Sequence, residues 1–411
     1  MTFQVAQMAT AGDTFGVDSS ARLPFSMRLL NTVGRLTPAD RIDRFRLDKA
    51  TVMAEAISVS GLSDFGDPYF EEGLDALLSS IASDIEPHLV GQIALRQTIV
   101  DALVNRLRLA QERRMRPEVF ETPLRPPIIV TGLHRSGTTH LHRLLAQDQA
   151  SHAPPYWQLV SPIVPLGAKD TRREQARRSL TLRRRLMPDL ARMHTIDADA
   201  PEECFYLTAS SFESVFFWSM APVVGYLRWY LGGDRRQKYC EYRLWLQILQ
   251  QQSPHKRLVL KAPEHLGGVD ALFAAVPEAQ VVQIRRDPVT SFASYVSMAK
   301  TTQALTVPDF AEDRTAQASL DLFESDLARN QAARATHPER IRDLNYDDLV
   351  KDPIATITGL YADLEIAVSP EFRAGLTAYL KSHPAGRHGR HLYALADSQI
   401  DRGRIERRLA S

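Results

Sequence analysis

The segment IIVTGLHRSGTTHLHRLL, residues 128–145, decides the fold. It opens on a short apolar, β-branched run that prolines precede and Gly132 closes, the pattern of a buried strand. A helix is predicted from about Thr138. Between them lies G-x-x-x-x-G-T-T, from Gly132 to Thr139. Glycines let the backbone curl so that successive N–H groups point inward. The following helix aims its unsatisfied amides and positive dipole end at the same point. Such a turn cradles an anion. It differs from a nucleoside-triphosphatase loop, which needs Gly-Lys-Ser/Thr with the lysine on the terminal phosphates. Thr138 holds the lysine position here, and the cation, Arg135, sits inside the loop.

Working outward, three more strand-like runs follow: RLVLKA at 257–262, AQVVQIRR at 279–286 and RIRDLNY at 340–346. Helical patterns such as GVDALFAAV separate them. The alternation predicts an α/β fold, a P-loop-like parallel sheet flanked by helices. The stretch from about 150 to 255 shows no clear strand and reads as helical insertions over the active site. Before Pro123 the spacing is helical, as in LDALLSSIASDI and IALRQTIVDALVNRLRLAQ. The expected organisation is a helical region over 1–122, beginning with a draped arm to about 40, and an α/β domain over 123–411.

Composition sets outer bounds. The 411 residues carry 50 Lys+Arg and 49 Asp+Glu, a net charge of +1, which argues against a nucleic-acid partner. The two cysteines, Cys204 and Cys240, give no disulfide framework and are expected to be buried thiols in a reducing compartment. The uncharged run between Glu213 and Arg228 is 14 residues, short of the roughly 20 that span a bilayer. The first residues lack a basic segment followed by an apolar core. The expectation is a cytoplasmic protein with no transmembrane segment; a homo-oligomer is left open.

The loop then acquires a family likeness. Arg135-Ser136-Gly137-Thr138-Thr139 resembles the 5′-phosphosulfate loop of sulfotransferases that use 3′-phosphoadenosine 5′-phosphosulfate (PAPS). Their 3′-phosphate motif, a strand-end arginine with a serine eight residues later, is matched by Arg286 and Ser294. The resemblance runs from about Pro126 to His391, and the helices before it, with GLSDFGD, resemble the bacterial branch. It implies that Arg135, Ser136, Gly137, Thr138, Thr139, Arg286 and Ser294 bind the nucleotide. Tyr346 falls on a family tyrosine near the adenine. Arg387-His388-Gly389 is similar to a loop over the 3′-phosphate, with histidine replacing lysine, so Arg387 and Gly389 join the expected cofactor site. His140 stands where several relatives carry an adenine-stacking tryptophan.

The implied reaction moves a sulfuryl group from PAPS to an acceptor hydroxyl and leaves adenosine 3′,5′-bisphosphate (PAP). An in-line path with a loose transition state follows by analogy with phosphoryl transfer. Arg135 and Lys261 would stabilise the leaving oxygen; no metal is required. In Lys261-Ala262-Pro263-Glu264-His265 the histidine is two residues further from the lysine than is usual in the family. His265 is the expected base, because its free pKa suits proton removal near neutrality. Glu264, Glu202 and Glu203 are rivals. The aromatic run 205–231 reads as a wall for a lipophilic acceptor or as a buried helix pair. The basic run 171–186 reads as a solvated face or an anion-docking face. A nucleotide kinase or NTPase with a variant loop and a non-catalytic nucleotide-binding module are the alternatives. His140, His142, His388 and His391 lack the spacing of a metal site.

Overall fold

The computed structural model describes residues 46–165, 167–186, 196–308, 310–383 and 400–410. The expected N-terminal arm, to about residue 40, and Arg387, His388, Gly389 and His391 lie outside the described residues.

A five-stranded parallel sheet forms the centre, in the order β2-β3-β1-β4-β5. The strands are β1 (Ile128–Thr131), β2 (Ser151–His152), β3 (Arg257–Lys261), β4 (Gln280–Arg285) and β5 (Ile341–Asn345). Four of them are the runs anticipated from sequence. The fifth, β2, is a correction: the region after 150 was expected to hold no strand. Two residues carry no periodicity, and β2 exists because Ser151 and His152 pair with Arg257 and Leu258 at the sheet edge.

Parallel strands covered on both faces need apolar side chains on both. Ile129, Leu258, Leu260 and Val281 face one hydrophobic core, and Ile128, Val130, Val259 and Val282 the other. Alternation along each strand places the two sets. The principal helices are α1 (Lys49–Ser60), α2 (Phe70–Asp84), α3 (Leu89–Met115), α4 (Thr138–Leu145), α5 (Arg172–Leu186), α6 (Arg236–Gln252), α7 (Val269–Ala275), α8 (Pro288–Ala304) and α9 (Glu312–Thr336). Local signals set their starts. Asp48 caps α1 by accepting from Thr51 N, and Asp287 caps α8 by accepting from Thr290 N, with Pro288 in the first turn.

The N-terminal helices share a core with the insertion. Leu74, Leu103 and Leu107 pack with Phe212, Phe217 and Tyr226. The buried Arg106 pairs with Glu241 of α6. Because β1 lies between β3 and β4, the strand order reverses beside it. The carboxyl ends of β1, β3, β4 and β5 therefore open on one crevice, the usual ligand position in such sheets.

Candidate active site

The turn after β1 is held in a conformation few side chains allow. Gly132 has φ 149°, and a Cβ there would lie 2.6 Å from the Ile284 carbonyl of β4. Gly137 has φ 103°, and its Cβ would meet the Tyr346 ring at 2.5 Å. Arg135, between them, sits in the left-handed region at φ 67°, which costs of order 1 kcal/mol or more for a non-glycine residue. Ser136 N donates to Leu133 O at 3.1 Å and closes the turn. Gly137 is the N-cap of α4, with no side chain capping the helix. The leading amides are thus left for an external acceptor.

The strand–helix motif meets this loop directly. Arg135 Nε donates to Ser294 Oγ at 3.1 Å. An Arg286 guanidinium nitrogen donates to Arg135 O at 2.9 Å, and the guanidinium lies 4.4 Å from the centre of the Tyr346 ring. Arg135, Gly137, Arg286, Ser294 and Tyr346, chosen from separate stretches of sequence, form one contact chain.

Lys261 ends β3 with its side chain 2% exposed. Its Nζ donates to Thr139 Oγ1 at 3.1 Å and to Glu203 Oε1 at 2.5 Å. Glu203 keeps 17% of its side chain exposed. Its register is set by its neighbours: Cys204 N donates to Lys261 O at 2.9 Å, and Glu203 N donates to the buried Glu202 Oε2 at 3.0 Å. A lysine has three N–H donors, so one remains beyond these two contacts.

His265 is placed otherwise than expected. It is fully buried in a 3₁₀ turn, Pro263–Gly268, and burial pushes its imidazole down to about 3. One ring nitrogen lies 3.1 Å from Cys204 Sγ and the other 2.9 Å from Tyr239 OH. Tyr242 OH donates to the same sulfur at 3.2 Å, and burial pushes the Cys204 thiol up to about 12. This is a neutral relay with both nitrogens engaged and no solvent face. The expectation that His265 faces the acceptor is corrected by that burial. Glu264 is also buried, accepting from Thr208 Oγ1 at 2.5 Å, Ser214 Oγ at 2.9 Å and Val215 N at 3.1 Å. Burial opposes its charge, but Lys238 at 3.3 Å and the hydrogen bonds from Thr208 and Ser214 together outweigh that and hold the carboxyl below its ordinary value. Glu264 pins the turn to the aromatic insertion. Cys240 is exposed, against expectation; Cys204 is buried.

Sequence reasoning passed over His134. Its ring lies 4.6 Å from that of Tyr295, and burial lowers it to about 4 against the opposing charge of Glu203. Its place inside the loop, beside Arg135, was the available signal. His142 is a core histidine, its Nε2 3.1 Å from Val259 O. His140 is half-buried on α4.

The aromatic run divides. Phe217, Trp218, Tyr226 and Tyr230 are fully buried core. Phe205, Tyr206 and Phe216 remain half-buried and in ring contact, with centroids 4.6–5.2 Å apart, and Tyr156 meets Tyr206 at 5.3 Å. This strip begins two residues after Glu203.

The sheet, the uncapped loop and the convergent cations define an α/β protein with a phosphate-type loop that lacks the NTPase lysine. The chain belongs to the sulfotransferase family, whose model matches residues 126–370. It is 24% identical over 276 residues to the omega-hydroxy-beta-dihydromenaquinone-9 sulfotransferase Stf3 of Mycobacterium bovis, covering 63% of this chain and 67% of that protein. Stf3 of Mycobacterium tuberculosis matches equally. Among solved structures, sulfotransferase STF1 of M. tuberculosis H37Rv is 30% identical, with a TM-score of 0.78 over 88% of this chain and 98% of that one. STF9 of Mycobacterium avium shares the fold at a TM-score of 0.80 and 24% identity, covering 89% of this chain and 95% of that one. A kinase or NTPase reading is not favoured. Among the described residues no helix is long and apolar enough to cross a membrane, and no group of three or more His, Cys, Asp or Glu residues could hold a metal ion.

Proposed function

We propose that this sulfotransferase takes its sulfuryl group from PAPS and delivers it to a hydroxyl on a lipophilic acceptor. The observation that carries the donor assignment is the junction of Arg135, Ser294 and Arg286. It joins the loop at the end of β1 to the motif at the end of β4. PAPS supplies the activated sulfuryl group. The α4 amides and Arg135 hold its 5′ end, and Arg286 and Ser294 its 3′-phosphate. Tyr346 packs beside the loop, and the family resemblance adds Arg387 and Gly389 to the residues expected to bind the nucleotide.

Lys261 directs its remaining donor at the oxygen on which charge builds as the bond to sulfur breaks. Glu203, not His265, takes the acceptor proton. It pairs with Lys261 and is partly exposed, whereas His265 and Glu264 are sealed. The acceptor's apolar part lies along Phe205, Tyr206 and Phe216. The acceptor named for Stf3, a menaquinone derivative, supports the lipophilic reading. Calorimetry tests the donor site: PAP should bind clearly tighter than AMP, with no requirement for Mg²⁺. Equal affinities would refute the 3′-phosphate assignment. Labelled PAPS offered to hydroxylated isoprenoid quinones and to short polar alcohols tests the acceptor; preference for the alcohols would refute it.

A further inference from the structure

The chain is almost neutral, yet α5 carries seven arginines and one glutamate in 15 residues. Its inner side rests on the protein through Ala176 and Leu180, packed with Ile196, Ala198, Tyr156 and Trp157. The outer side carries Arg177, Arg178, Arg184 and Arg185, all exposed, with Leu182 58% exposed among them, and Arg183, three residues after Leu180, is exposed at the end of the inner stripe. Arg173 and Arg177 share Asp199, and Arg178 pairs with Glu174. Arg183, Arg184 and Arg185 have no carboxylate partner among the described residues.

The helix is tied to the acceptor wall. Arg172 is buried, lies 4.9 Å from the centre of the Trp157 ring and donates to the carbonyls of Ser161 and Pro162. The next aromatic, Tyr156, reaches Tyr206 and so the strip that starts at Glu203. Burial raises the Tyr156 and Tyr206 hydroxyls, and the charge of Arg183 opposes it in both.

We propose that α5 docks the enzyme on an anionic phospholipid bilayer, its arginines on headgroup phosphates and the aromatic strip leading a membrane-resident acceptor to Glu203. The inference rests on the lipophilic-acceptor reading above. Charge complementarity selects the partner. A single nucleotide phosphate is served by a compact cradle of amides and converging cations, as at Gly132–Thr139. Arginines spread along a helix of roughly 22 Å match an extended sheet of charge instead. A polybasic face of this kind binds anionic lipid by attraction that salt screens. Leu182 adds an apolar contact at the same level.

The test is flotation of the full chain with vesicles of equimolar phosphatidylglycerol and phosphatidylcholine, and with phosphatidylcholine alone. Binding should be at least about tenfold stronger to the anionic vesicles and be lost near 1 M salt. The triple variant R183Q/R184Q/R185Q should bind about 10–100-fold more weakly, and R183K/R184K/R185K should keep binding, since charge is what is read. Circular dichroism and PAP calorimetry check that the variants fold. The proposal is overturned if the wild-type chain ignores anionic vesicles, if the Gln variant binds them unchanged, or if that variant loses PAP while keeping the vesicles. Vesicle binding without transfer to any vesicle-borne acceptor would refute the lipophilic-acceptor reading and leave the docking surface standing.

Discussion

Lys261 Nζ lies 2.5 Å from Glu203 Oε1 and also donates to Thr139 of the loop. One ammonium therefore bridges the anion cradle and the partly exposed carboxylate beside the aromatic strip. In the proposed reaction, the cation at the leaving oxygen and the base at the acceptor are thus direct partners.

Replacing the base should silence the chemistry while sparing the nucleotide site. Glu203→Gln is expected to lower kcat about 10²–10⁴-fold, the usual contribution of a positioned base. PAP affinity by calorimetry should stay within a few-fold. His265→Asn, made in parallel, should lower the melting temperature while retaining the pH dependence of kcat. If His265→Asn loses its acidic limb and Glu203→Gln does not, the roles are reversed.

Lys261→Ala tests the leaving-group contact. An interaction made mainly in the transition state lowers kcat more than it raises KM. A loss of about 10²–10³ in kcat is expected for one such donor. Steady-state kinetics with PAPS varied would decide; a rise in KM alone would reduce Lys261 to ground-state binding.

Arg286→Ala removes a cation that also braces the carbonyl of Arg135. It should weaken PAP binding by about 1.5–3 kcal/mol, the scale of a hydrogen bond to a charged group, while AMP binding changes far less. Titration calorimetry with both nucleotides measures the difference. Equal losses for the two would mean that Arg286 acts only through the loop.

Acid should destabilise the fold through its sealed histidines. His142 and His265 are fully buried, and burial pushes each imidazole down to about 3. In the unfolded chain both titrate near 6.5, so below that pH the unfolded state takes up protons that the folded state refuses. Their stabilising effect is complete above about pH 6.5 and declines as pH falls toward 3, by about 1.4 kcal/mol per unit for each group. Denaturant unfolding at pH 7 and pH 5 should differ by roughly 2 kcal/mol per buried histidine. His142→Leu should shrink the difference by one such share; an unchanged difference would contradict the assignment.

The sequence by itself determined the elements whose signals are contiguous. Ile128–Thr131 had to be a buried strand, because an apolar β-branched run between prolines and glycine has few other solutions. Gly132 and Gly137 had to shape the turn after it, because glycine alone takes up positive φ without strain. The positions of Arg286 and Ser294 followed from a strand end and a capped helix start, both local features. Only the tertiary structure decided which carboxylate reaches Lys261. Glu203 is 58 positions away along the chain, on a segment with no regular period, and no spacing rule connects them. Proximity in sequence pointed to His265 instead, yet the 3₁₀ turn after Lys261 packs that ring among Cys204, Tyr239 and Tyr242. The direction of a side chain on a short turn depends on what covers the turn. Here the cover is α6 and the aromatic insertion, which reach it only when the chain has folded.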